Sequence, residues 1–174
     1  MRGSVLLFLV GLVSLALQLI LAPAIAIFGT MPNFVLVFVG VAAMLRPSDS
    51  TMAVGFAVGL VYDLVTSGTP GVMAALLALV AFLASRASMR LGNDTLSVSL
   101  LITMASALLV EACYALFYVV TTEVGIVDAL LMRALPCALY DCAICLIVIP
   151  LLSALFARGA SVHAAPESST IRLR

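Results

Sequence analysis

The chain has 174 residues, of which 65% are hydrophobic and only 9% charged, with a formal net charge of zero. Soluble globular domains carry about 25% charged residues, so this composition excludes one and indicates a membrane protein. No extended basic patch is present for nucleic acid.

Apolar runs separated by short polar breaks predict six transmembrane helices over residues 4–21, 32–45, 51–66, 70–85, 96–120 and 136–157. Together they form a single all-α membrane domain over residues 1–158, and residues 159–174 read as a disordered cytoplasmic tail without periodicity. The first segment reads as an uncleaved span. Its apolar run exceeds the ~7–15 residues of a signal peptide's core, and Pro23 sits poorly in a cleavage site. The connector after it carries Pro23 and Gly29, and Pro32-Asn33 opens the second span. A polar turn, Arg46 to Ser50, precedes the third, and a tight turn holding Gly68, Pro70 and Gly71 precedes the fourth. Residues Arg86 to Asp94 read as the most polar loop. Pro136 stands at the start of the sixth span, where its missing N–H costs nothing, and Pro150 is expected to kink it. Spans two to four fall short of the ~20 residues a perpendicular helix needs.

The basic residues set the orientation. All eight are Arg. On alternate sides of a six-span fold, Arg2, Arg46, Arg86, Arg90, Arg158, Arg172 and Arg174 share one face, and Arg133 stands alone on the other. The Arg-rich side of a membrane protein is cytoplasmic, so both termini are expected in the cytosol. The tail Arg residues suit weak contact with anionic membrane lipid, at about 1 kcal/mol each.

With that orientation each intramembrane polar residue takes a depth. Gln18, Asn33, Asp63, Glu111, Asp141 and Arg133 all fall in the outer half. An ionised group at mid-bilayer costs about 2.5–3.5 kcal/mol, which favours gathering the acids inside the bundle over scattering them toward lipid. Gly55, Gly59 and Asp63 follow at helical spacing, so a small-residue face leads to the Asp. This face is expected to be either the main packing seam or the docking surface for a partner. Ser99, Thr103, Ala107 and Glu111 make a similar line, continued outward by Tyr114 and Tyr118, and Arg133, Cys137, Asp141 and Cys145 make another. The plainer reading has Asp63 and Asp141 reaching to the outer interface, and Arg133 at the headgroups.

No sign of catalysis or of a cofactor is visible. The only His, His163, lies in the tail, and no nucleophile stands beside a base. Cys142 and Cys145 have the spacing of a redox or zinc pair without its flanking partners, so the four Cys read as small buried hydrophobes. The two halves of the chain show no convincing self-similarity of the kind common in transporters.

From Gln18 to Gly71 the sequence resembles the MreD family of rod shape-determining membrane proteins. The resemblance rests on Gln18 and Pro23, then Pro32-Asn33, then Gly55-Phe56-x-x-Gly59-Leu60-x-x-Asp63-Leu64, with Gly68 and Gly71 beyond. It implies a non-enzymatic scaffold subunit of the complex that builds side-wall peptidoglycan. The partners it implies are MreC directly and, through it, MreB, RodA and the cognate penicillin-binding transpeptidase; a homo-oligomer is compatible with the small-residue face. The family looks similar in fold to the substrate-binding subunits of energy-coupling-factor transporters, which bind ligand in an outward pocket. An alternative function follows: a small-molecule binding subunit that uses Gln18, Asn33, Asp63, Glu111 and the two Tyr.

Overall fold

The computed structural model describes residues 2–27, 30–66, 70–91, 96–121 and 135–161. These form six helices: α1 (Arg2–Ala24), α2 (Phe34–Leu45), α3 (Asp49–Val65), α4 (Val72–Leu91), α5 (Leu96–Thr121) and α6 (Leu135–Ser161). Four of them, α1, α4, α5 and α6, are long and apolar enough to cross a membrane.

The short α2 is the centre of the fold. Its sequence, Phe34 to Leu45, is apolar on every side, and such a helix belongs in a core rather than at a surface. Eleven of its 12 residues are buried, and it packs against all five other helices. At 1.5 Å per residue, 12 residues rise about 18 Å, well short of the ~30 Å hydrocarbon layer. Longer helices surround it, and its first turn is buried, with Phe34, Val35 and Leu36 at most 8% exposed.

The most intimate pair is α3 and α4. Gly59 makes that approach possible: a Cβ there would lie 2.6 Å from the Ala74 Cα and 2.9 Å from the Met73 carbonyl. At Gly55 a Cβ would lie 3.0 Å from Val39 Cγ1 and 3.3 Å from the Leu77 carbonyl oxygen. The Gly55–Gly59 face is thus filled by α2 and α4 of the same chain. Of the two roles expected for it, the geometry gives packing, and a partner helix cannot occupy the same space.

On the other side of the bundle the small-polar lines of α5 and α6 meet. Thr103 Oγ1 lies 3.1 Å from Cys145 Sγ, with Ala107 and Ala138 fully buried nearby in the same core. Small side chains let the backbones close up, as in other membrane helix pairs.

Three expectations need correction. Residues 159–161, expected in the tail, are the helical end of α6, and residues 162–174 lie outside the described residues. Residues 86–91, read as loop, continue α4 as helix to Leu91. Arg86 and Arg90 lie on its last turns, where a cation suits the carbonyl end of the dipole, and the Arg86 guanidinium lies 5.2 Å from the Phe82 ring centroid. Apolar stems let arginines extend a membrane helix while the charged heads reach outward. Pro23, expected in the connector, sits in the last turn of α1. A proline there lacks the N–H that a continuing helix needs, and α1 stops one residue later.

α2, α4 and α6 all begin at one end of the bundle, here termed the Asn33 end. They finish at the other, where the Arg46 guanidinium lies 4.9 Å from the centroid of the Phe156 ring. Ser85 donates to the Ala43 carbonyl at 3.2 Å near this second end, joining α4 to the close of α2.

A polar cavity at the Asn33 end

The first N–H groups of a helix have no partner within it. At a buried helix start water is scarce, and each buried N–H left unpaired costs about 1–3 kcal/mol. The opening of α2 meets this with side chains from three places in the sequence. Asn33 N–H donates to Asp141 Oδ1 at 2.6 Å, Phe34 N–H to Gln18 Oε1 at 2.7 Å, and Leu36 N–H to Asn33 Oδ1 at 3.1 Å. Gln18 comes from α1 and Asp141 from α6, so the cap ties three helices together. Tyr140, next to Asp141, adds a hydroxyl bond to the Ile25 carbonyl at 2.9 Å, holding the α1–α2 connector to α6.

The opening of α4 is capped from α3. Asp63 Oδ2 accepts the N–H of Gly71 at 2.9 Å and of Ala74 at 3.1 Å, and Oδ1 accepts that of Met73 at 3.3 Å. A carboxylate at a helix start is favoured by the dipole as well as by these bonds. Asp63 is 3% exposed, so it does not reach out to the interface. Gly71 carries φ +93°, a left-handed conformation that side chains rarely adopt, and it turns the chain into α4 at that point.

Between the two capped helix starts lies a cavity of about 430 Å³. Its polar wall holds Gln18, Asn33, Asp63, Glu111 and Tyr114, which are five of the eight residues expected to cluster. Asp141 is fully buried behind Asn33, within electrostatic reach of Glu111, and its Oδ2 is a buried side-chain oxygen without a hydrogen-bond partner among the described residues. Tyr118's side chain, Arg133 and Gly68 lie outside the described residues. Pro32 and Met31 form part of the rim.

Sequence reasoning did not single out Tyr62, Thr66 or Met73, which line the same cavity. Tyr62 on α3 and Thr66 at its C-cap are near neighbours of Asp63 in sequence, and that proximity is the signal that was available. Met73 gives none, because it resembles any other apolar residue of α4. Among the described residues no group of three His, Cys, Asp or Glu side chains is placed to hold a metal ion.

These features define an all-α membrane protein with four helices long and apolar enough to cross a bilayer, a short buried central helix and a mixed polar cavity at one end. The family model described as rod shape-determining protein MreD matches residues 2–158. The chain belongs to the MreD family, and is a rod shape-determining membrane protein. No curated protein and no solved structure matches it. Nothing in these comparisons supports the transporter-subunit alternative.

Proposed function

We propose that this protein is a non-enzymatic scaffold subunit of the cell-elongation complex in the bacterial inner membrane, multi-pass, with both termini in the cytosol. It binds MreC directly, and through it helps couple MreB, RodA and the cognate transpeptidase to side-wall peptidoglycan synthesis. The observation that carries this reading is the family match over residues 2–158. The orientation rests on the Arg distribution: Arg46, Arg86 and Arg90 belong to the end opposite the cavity, which makes the Asn33 end periplasmic. We read the fold as akin to that of energy-coupling-factor substrate-binding subunits, on the strength of six helices and a cavity confined to one end.

Short connectors leave little surface outside the bilayer, so recognition of MreC falls to helix faces within it. The Gly55–Gly59 face is taken by α4, and docking is therefore assigned to outward faces elsewhere on the bundle. Co-purification of MreC with the tagged protein from membranes tests the scaffold role, together with cell rounding on depletion. Failure of MreC to co-purify, with rod shape kept on depletion, would sink it.

A further inference from the structure

The end of the bundle opposite Asn33 carries a cleft of about 350 Å³ between the start of α3 and the last turns of α4. Ser48, Asp49 and Met52 line it from one side, and Phe82, Arg86 and Met89 from the other. The close approach of α3 and α4 at Gly55 and Gly59 holds the two sides in register. Ser48 caps α3, its hydroxyl oxygen accepting the Thr51 N–H at 3.3 Å, and the Thr51 hydroxyl donates to the Arg46 carbonyl at 2.8 Å. The turn that carries Asp49 is thus anchored to the close of α2.

The cleft combines opposite charges with apolar side chains. Asp49 supplies a carboxylate at the first turn of α3, and Arg86 a guanidinium that lies over the Phe82 ring at 5.2 Å. Stacking engages the guanidinium face and leaves its N–H edge for an oxyanion. Among the described residues Asp49 and Arg86 make no ion pair with each other. Phe82 and Met89 are exposed beside them. One helical turn toward the middle of the bundle, Phe56 on α3 and Leu79 on α4 are exposed as well, so an apolar strip leads away from the cleft along the outside of the helix pair.

One carboxylate and one guanidinium in the same cleft select by charge pattern. A purely anionic group gains at Arg86 and is repelled by Asp49, and a purely cationic group meets the reverse, whereas a group with both charges satisfies both sides. Asp49 accepts N–H bonds, so a primary ammonium suits it better than a quaternary one, which has no N–H to donate. Arg86 lies on the last turns of a helix long and apolar enough to cross a membrane, at the depth where such a side chain reaches phosphate head groups. The cleft's volume of about 350 Å³ is within the ~300–1,000 Å³ range of small-molecule sites. A purely water-soluble ligand would leave the apolar strip uncovered, and a hydrocarbon chain covers it.

We propose that this cleft binds a zwitterionic phospholipid with a primary ammonium, phosphatidylethanolamine, with its phosphate on Arg86, its ammonium on Asp49 and an acyl chain along the strip of Phe82, Leu79 and Phe56. Bound there, the lipid bridges the α2–α3 turn and the end of α4 from outside the bundle. The inference goes beyond the scaffold reading and stands or falls separately from it, since it needs neither MreC nor a particular leaflet.

The test uses the full chain, delipidated in detergent and offered phosphatidylethanolamine, phosphatidylglycerol and phosphatidylcholine with matched acyl chains. Bound lipid is read by native mass spectrometry. The expected result is a preference for the ethanolamine lipid over both others of roughly fivefold, which corresponds to one exposed charge pair at about 1 kcal/mol. Arg86→Gln should weaken binding of all three lipids, because all carry the phosphate. Asp49→Asn should keep binding but remove the preference, a split that a merely structural role for either residue would not produce. Both side chains are exposed, and circular dichroism confirms that each variant is folded. Soluble phosphoethanolamine, the same head group without chains, should fail to displace the bound lipid at equal concentration; displacement would overturn the lipid assignment. Parity among the three lipids in the wild type overturns the proposal. So does an undiminished preference in folded Asp49→Asn protein, or unchanged binding in folded Arg86→Gln protein.

Discussion

Asp63 stands near the end of α3 with its carboxylate turned onto the start of α4, where three N–H groups meet it. Removing that carboxylate leaves those donors buried without partners. Asp63→Ala is expected to lower stability by about 2–4 kcal/mol, more than an ordinary cap because the bonds are charge-assisted. Asp63→Asn keeps one acceptor oxygen and should fall between the two. Thermal unfolding in detergent checks the order wild type, Asn, Ala; equal unfolding temperatures would remove Asp63 from its capping role. Four residues earlier in the chain, Gly59 tolerates no side chain, since even a Cβ would sit 2.6 Å from the Ala74 Cα. Gly59→Leu should therefore prevent α3 and α4 from closing, with a loss of at least about 3 kcal/mol from overpacking against rigid backbone. The expected readout is loss of folded protein on size exclusion. A folded variant that only lost a partner would restore the docking interpretation.

At the scale of elements, α2 is the helix that the others are arranged around. It cannot span a bilayer by itself, and its first turn is held by Gln18, Asn33 and Asp141. Gln18→Leu preserves much of the volume but strands the Phe34 N–H, and should cost about 1–3 kcal/mol. Asp141→Leu strands the Asn33 N–H at a similar cost, while also removing the buried oxygen that has no partner among the described residues, so its net effect should be the smaller of the two. Unfolding temperatures of the two variants in the same detergent decide this. A larger loss for Asp141→Leu would mean that a group outside the described residues satisfies Oδ2. Span two looked short in sequence because α2 has only 12 residues, and span four because α4 runs on to Leu91 through residues that read as loop.

For the molecule as a whole, the alternation of helix direction and the Arg distribution together define two unlike ends. One holds Arg46, Arg86 and Arg90; the other holds the cavity. If the Arg-rich end is cytosolic, Arg90→Cys in a background with the native Cys replaced should resist a membrane-impermeant maleimide in intact spheroplasts and react once they are permeabilised. Labelling in intact spheroplasts would turn the orientation over. It would also move the cavity to the cytosolic side, while leaving the helix packing untouched.

Much of the cavity was legible before any coordinates, because polar residues inside apolar runs are expensive and so are seldom idle. Gln18, Asn33, Asp63, Glu111 and Tyr114 share one cavity. Their duties were not legible. Spacing along a helix shows which residues share a face, but a cap joins residues as distant as Asn33 and Asp141, 108 positions apart. Likewise the Gly55–Gly59 pattern announces close approach without identifying the helix that makes it, and the charges of Arg86 and Arg90 mask the helix-forming character of residues 86–91.

The sequence by itself determined the class of protein, the order of its helices, the asymmetry of its Arg residues and the family to which it belongs. These follow from properties of local runs: hydrophobic length, turn residues and motif order. Only the tertiary structure decided that α2 lies at the centre, that Asp63 caps α4, and that the small-residue face is internal. Those depend on which helices are neighbours, and for a buried helix start the neighbour that can reach an unpaired N–H is selected by three-dimensional packing, whatever the distance along the chain.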